Sequence, residues 1–222
     1  MSEASTLLAS VEPEWPDTES VDGERSDVSS RVARTDYGTA PNRILVLGDA
    51  DTTFDAVFGE LANHGVDAVR AHEISACAAS LHANKATGVV LTIDAASLAE
   101  RSARKELARS LTGTLHKLLP LLAQPAQVLV LARGTDETQK SRMDKEIQSV
   151  IGKISRQATN EYGVNLTITA VDITGNVDTT VIARRAVELF DAREEVTTGE
   201  LLDYTEIENQ SIGCALALRF VY

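Results

Sequence analysis

The stretch from Ala126 to Val171 restricts the fold more than any other part of this 222-residue chain. The run Gln127–Ala132 is apolar after its first residue, as expected of a strand covered on both faces. A polar turn follows, and then Met143, Ile147, Val150, Ile151 and Ile154 recur at helical spacing. Asp136 with Gln139 three residues on has the form of a capping box, and Gly163 stands where a left-handed C-terminal stop belongs. Leu166–Val171 is a second apolar run. Two buried strands joined by a helix make a βαβ unit, whose strands are parallel. The expected fold class is therefore α/β, a Rossmann-like three-layer doubly wound parallel sheet.

The rest of the chain reads consistently with that sheet. Arg43–Asp49 is a short apolar strand ending in Gly48, and Thr53–His64 a helix with Phe54, Val57, Phe58 and Leu61 on one face, stopped by Gly65. Val66–Val69 and Gly88–Ile93 are expected strands, the second ending at Asp94, with a short helix over Ser75–Ala83 between them. Leu98–Leu122 reads as a long helix with Leu107, Leu111, Leu115, Leu118, Leu119 and Leu122 along one stripe and Pro120 in its last turn. A further helix is expected over Asn176–Phe190, after a turn at Gly175. The organisation predicted is a disordered acidic tail over 1–41, a degenerate Rossmann-like domain over 42–205 and an apolar C-terminal extension over 206–222. The extension, left exposed, would invite aggregation, and reads as an added edge strand or an arm across a dimer.

The segments Gly113–Leu122, Val128 onward, and Val150–Ala158 running to Tyr162-Gly163-Val164 together resemble the C-terminal half of a short-chain dehydrogenase/reductase. Val196–Tyr204 is similar to that family's approach to its last strand, with Thr198 and Gly199 matching. Within the family, Arg43–Tyr204 most resembles the non-catalytic, flavodoxin-like N-terminal domain of the high-molecular-weight 3-oxoacyl-ACP reductases. Those proteins carry a complete catalytic domain after it, which these 222 residues do not contain. The resemblance places the family's catalytic Tyr on Met143, its Lys on Ile147 and its Ser among Leu131, Ala132 and Arg133. None of these side chains can perform acid catalysis, ribose binding or carbonyl polarisation as the family does. A dinucleotide-binding turn needs three glycines. Here only Gly48 is present, with Thr52 and Phe54 at the other two positions, where the phenylalanine ring is expected to fill the phosphate space. Asp49, Asp51 and Asp55 add negative charge at a helix start that would otherwise favour anions. Arg70 and Glu73 follow the second strand, where the family selects its ribose, and read as solvated charges. Gly175 fits the turn after Asp172 where the family covers the nicotinamide. No catalytic, cofactor-binding or metal residue is expected, and no cofactor.

The function expected is a non-catalytic short-chain-dehydrogenase-like pseudoenzyme, a dimerisation or docking module, which the resemblance links to fatty-acyl metabolism. The resemblance also implies a homo- or hetero-oligomer through helices 98–122 and 138–162. Ala103, Thr114 and Leu121 on the first, with Val150, Ile154 and Ala158 on the second, are the side chains for such a contact. Two other classes compete. An NAD(P)-dependent 3-oxoacyl reductase with a non-standard site would have to use Tyr162 with Lys153, or Tyr204. Lys153 and Tyr162 are nine residues apart, whereas side chains meet at three or four. A receiver-like signalling domain would use Asp49, Asp51 and Asp94. It would want Thr/Ser and Lys where Ala132-Arg133, Thr135 and Asp172 stand. The aspartates at the first turn equally suit helix capping, in preference to a bare Mg²⁺ site.

Net charge of −12 argues against a nucleic-acid or anionic-membrane surface. No run approaches the length of a membrane span, no secretory signal is visible, and a cytoplasmic location is expected. Cys77 and Cys214 are expected as reduced thiols, and His64, His72, His82 and His116 follow no metal-ligand spacing. Trp15, the single tryptophan, lies in the acidic tail, as a docking motif for a protein partner or as an incidental aromatic.

Overall fold

Six parallel strands form one sheet in the order β2-β1-β3-β4-β5-β6. They are β1 (Arg43–Leu47), β2 (Asp67–Ala71), β3 (Ala86–Asp94), β4 (Leu122–Arg133), β5 (Leu166–Asp172) and β6 (Leu201–Asp203). The helices are α1 (Thr52–Asn63), α2 (Ile74–Ala83), α3 (Arg101–Leu118), α4 (Glu137–Tyr162), α5 (Thr179–Ala192), α6 (Tyr204–Ile207) and α7 (Ile212–Arg219). The structure is a computed structural model, and it describes residues 42–49, 51–94, 101–134, 137–192 and 199–219. The tail over 1–41, with Trp15, lies outside the described residues, as do Thr135, Asp136 and Thr198.

The two apolar runs that frame the βαβ unit pair as expected. β4 and β5 run in register from Ala126 opposite Leu166 to Ala132 opposite Asp172. α4 ends with Gly163 at φ 62°, and the amide of Val164 donates to the carbonyl of Ala158 at 3.0 Å. This is the left-handed stop that the glycine signalled. α3 is shorter than its leucine stripe suggests. Pro120 does not bend an α-helix but sits in a 3-10 turn over Leu119–Leu121, after which the chain is already extended at Leu122. A proline lacks the amide needed to continue the ladder.

The inner strands β1, β3, β4 and β5 are apolar on both faces, and successive residues divide between two cores. Leu45, Val89, Leu91, Val128, Val130 and Ile168 face the layer of α2, α3 and α4. Ile44, Val46, Val90, Leu129, Leu131 and Val171 face the layer of α1, α5 and α7. The placement of α5 is unusual. From β3 through β6 each strand lies one step further across the sheet, yet α3 and α4 cover one face and α5 the other. The last crossover therefore has the opposite hand from the preceding two, against the strong general preference for one hand. α5 covers the face of β3, β4 and β5 that α1 does not reach, and packs alongside α1.

Residues 206–219, the described part of the C-terminal extension, differ from the expected edge strand. Ile212–Arg219 is a helix, not an edge strand, and Ile212, Ala215 and Leu216 are buried against the chain's own α5 layer. Its apolar content is used as a helical face. Two polar anchors hold the segment. The guanidinium of Arg219 donates to Glu206 at 2.6 and 2.9 Å, which raises its pKa, and Arg185, itself buried, donates to the carbonyls of Ile207 at 2.8 Å and Glu208 at 3.1 Å. Both cysteines are free thiols. Cys214 is exposed, and burial pushes the Cys77 thiol up.

At Gly88 the ring of Phe190 on α5 comes close against β3. A Cβ there would lie 2.6 Å from Ile44 and from the ring of Phe190, both in the packed core. Gly88→Ala is expected to cost about 1–3 kcal/mol through overpacking. This is read as a lower urea midpoint at unchanged slope. Phe190→Leu in that background should return part of the loss.

Candidate functional site

All strands of the sheet point their carboxyl ends to the same edge, and the strand order reverses between β1 and β3. In open α/β sheets the crevice at such a reversal is where ligands bind. The turn after β1 opens on this crevice. Gly48 has φ 145°, and a Cβ there would run into the side chain of Thr92 on β3. The hydroxyl oxygen of Thr92 is buried without a hydrogen-bond partner among the described residues.

The first turn of α1 is filled from within the chain. Asp51 has extended backbone and its carboxylate accepts from the amide of Phe54 at 2.7 Å, so it is the helix N-cap. Its other oxygen lies 3.0 Å from the guanidinium of Arg133, which also donates to the hydroxyl of Thr53 at 2.6 Å. Arg133 ends β4, so this side chain crosses the crevice from β4 to the start of α1. The helix terminus that would favour a phosphate already holds a carboxylate, and the cation beside it is already paired.

Phe54 plays a different part from the one expected. Its ring is fully buried in the layer between α1 and the sheet, with the Arg70 guanidinium 5.0 Å from its centroid and the His72 ring stacked at 6.0 Å. An aromatic at this position on α1 points to the core because burial of the ring is worth far more than its exposure in an open crevice. Asp51 and Arg133, not the ring, occupy the turn. Arg70 is also not a solvated charge alone, since it pairs with Asp55 at 3.0 Å and lies over Phe54 and Phe58. Glu73 accepts from the hydroxyl of Ser75 at 3.1 Å.

The positions that the family resemblance assigns to catalysis carry no reactive group. Ile147 is 1% exposed and packs in the α4 core, and Leu131 and Ala132 are buried strand residues. Met143 lies on α4 outside the residues whose side chains are described. The substitute pair is far from the crevice. α4 leaves the carboxyl edge after β4 and returns to the opposite edge where β5 begins, so Tyr162, 54% exposed, stands at the wrong end of the sheet. Lys153 is nine residues before it, about 14 Å along the axis. Tyr204 is engaged elsewhere, its hydroxyl accepting from the amide of Asp178 at 3.3 Å.

At the end of β5 the backbone is locked rather than open. The Thr174 amide donates to Asp172 at 2.8 Å, the Gly134 amide donates to the Thr174 hydroxyl at 2.7 Å, and Gly175 makes the expected turn at φ 94°. Of the aspartates weighed for a receiver, Asp51 is committed to its cap and Arg133, while Asp49 and Asp94 are exposed. Among the described residues, no group of three or more His, Cys, Asp or Glu is arranged to hold a metal ion.

A second feature was not signalled by any motif. A cleft of about 790 Å³ runs between α2 and α3, from the carboxyl ends of β1 and β2 toward the opposite edge, where α3 ends. Its walls are the ends of β1 and β2, one side of α2 from Ile74 to His82, and the α3 terminus with its 3-10 turn. It combines a leucine floor with His72, His82 and Lys117. These residues are distant in sequence, and only the folding of α2 and α3 side by side brings them together.

No protein-family model matches the sequence, and a search of curated proteins finds no significant match. Solved structures do resemble the fold. An oxidoreductase of the short-chain dehydrogenase/reductase family from Burkholderia thailandensis matches 82% of this chain and 98% of its own, at 10% identity and a TM-score of 0.56. BdcA from E. coli matches 73% of this chain and 97% of its own, at 11% identity and a TM-score of 0.52. The NADH-dependent enoyl-[acyl-carrier-protein] reductase of Aquifex aeolicus matches 73% and 94%, at 13% identity and a TM-score of 0.50.

Asp51 is the group on which the closed turn rests. Asp51→Ala removes cap and ion pair and is expected to cost about 1–2 kcal/mol. Asp51→Asn keeps an acceptor for the Phe54 amide and loses only a half-exposed, solvent-screened pair, so its loss should stay below about 1 kcal/mol. Denaturant melts of the two variants beside the parent check this order. The chain adopts a Rossmann-like α/β fold of the kind seen in short-chain dehydrogenases and reductases.

Proposed function

We propose that this protein is a non-catalytic relative of the short-chain dehydrogenases and reductases that works as a docking module rather than by turnover. The observation that carries this reading is the tether from Arg133 to Asp51 and Thr53 across the α1 start. A dinucleotide would have to displace a carboxylate that already satisfies the Phe54 amide, and would bring its diphosphate beside Asp51 and Asp55. Like charges in such a position oppose binding. The buried Ile147 supports the same reading, because no amine stands where the family holds its ribose.

Docking is favoured over dimerisation through α3 and α4. Of the side chains that the sequence offered for a second apolar face, Leu121, Val150, Ile154 and Ala158 are buried in the chain's own core, Thr114 is half-buried, and Ala103 lies outside the residues whose side chains are described. What α4 presents outward includes Lys145, Gln148, Lys153 and Arg156. Stable homodimer interfaces are more apolar than this.

Titration of the purified protein with NADPH and with NADH in a calorimeter is expected to give no saturable heat up to about 1 mM cofactor. Mixing with NADPH and short 3-oxoacyl thioesters should give no loss of nicotinamide absorbance. Saturable binding at micromolar cofactor, or any turnover above a boiled control, would overturn the reading.

A further inference from the structure

We infer that the cleft between α2 and α3 is a binding site for a small organic anion with an apolar body. Its volume of about 790 Å³ falls in the range of small-molecule sites, about 300–1,000 Å³. The floor is formed by Leu47, Leu91 and Leu121, all nearly fully buried, which suits a ring system or a short hydrocarbon chain. The charge that an anion would meet is that of Lys117, with His72 and His82 as further polar lining. The one acid of the lining, Glu73, accepts from the Ser75 hydroxyl.

His72 is held ready. Its Nδ1 lies 3.0 Å from the carbonyl oxygen of Gly48, which can only accept, so Nδ1 carries the proton of that bond. The ring also stacks on Phe54 at 6.0 Å. In the neutral ring the other nitrogen is an acceptor, so it suits a donor on the ligand and leaves the anionic end to Lys117. The site is separate from the first turn of α1, where Asp51 and Arg133 satisfy each other, so it calls for no diphosphate. The inference goes beyond the docking role and does not depend on it.

The probes are 2-naphthoate and its uncharged counterpart 2-naphthamide, which share size and ring system and differ in charge. Calorimetric titration of the full chain is expected to show 2-naphthoate binding at least about tenfold tighter than the amide, a difference of about 1.4 kcal/mol. Lys117→Met, at an exposed side chain, should erase most of that difference with circular dichroism and melting temperature unchanged. Ala78→Trp, which places a ring inside the cleft, should abolish binding of both probes. Binding of neither probe, equal affinity for the two, or a Lys117→Met variant that keeps the full discrimination would each overturn the inference. NADPH binding would overturn the non-catalytic reading, whereas the naphthoate comparison is made without cofactor and is decided by its own outcomes.

Discussion

The structure depends on the pairing of β3 with β4 at the centre of the sheet. The two strands run in parallel register from Gly88 opposite Gln127 to Asp94 opposite Arg133. Val89, Val90 and Leu91 on one and Val128 to Leu131 on the other are buried on both faces. A pair of strands without a polar side cannot border water, so it requires a helical layer above and another below. Everything else in the architecture answers that requirement. α2, α3 and α4 close one side. α1 closes the other only as far as β1 and β2, and α5 must supply the remainder, with α7 packed beside it. The reversed hand of the last crossover follows from this. A helix on the usual side would have met a layer already complete and left Val90, Leu129 and Val171 bare.

The same parallel order places the ends of all six strands on one edge, and so creates a crevice whether or not the chain has a use for it. In this chain part of it is filled from within. Here the half between β4 and α1 is closed by an internal ion pair that satisfies the α1 N-terminus. On the other face, the groove between α2 and α3 stays open from the ends of β1 and β2 to the 3-10 turn after α3. The closure at the start of α1 is electrostatic and requires no change in the sheet itself.

This division explains which features could be read from the residues alone. The strands and α4 were legible because their signal is periodic and local: apolar runs, a helical stripe and Gly163 at the stop. The Asp51 cap was legible for the same reason, as a short-range pattern. Arg133 was visible only as a position where a catalytic serine, or a receiver's Thr or Ser, was absent. Its bond to Thr53 spans 80 residues, and no local pattern carries that. The C-terminal segment was misread as extended because an apolar run of eight to ten residues has no decisive period. Its helical form is set by packing against α5 and by Arg219 reaching Glu206. The interface face of α4 was misassigned because Val150, Ile154 and Ala158 extend the buried stripe around the helix, widening one face rather than making a second.

The burial of Ile147 bears on whether such a scaffold could regain chemistry by a single change. The side chain belongs to the core between α4 and the sheet, beside Leu111, Leu115 and Val130 in the same cluster. A lysine there would carry its ammonium into an apolar layer, where a charge without a partner is costly and its proton is readily lost. Such a group could hold a ribose only if α4 rotated to present it to the crevice. That rotation would withdraw Ile151, Ile154 and Ala158 from the same core. The residues that stabilise the fold and those that would be needed for the reaction compete for one face of one helix. From Ile147 to Ala158 that face is given to packing, so presenting an amine at position 147 would take a change of the helix and not of one position.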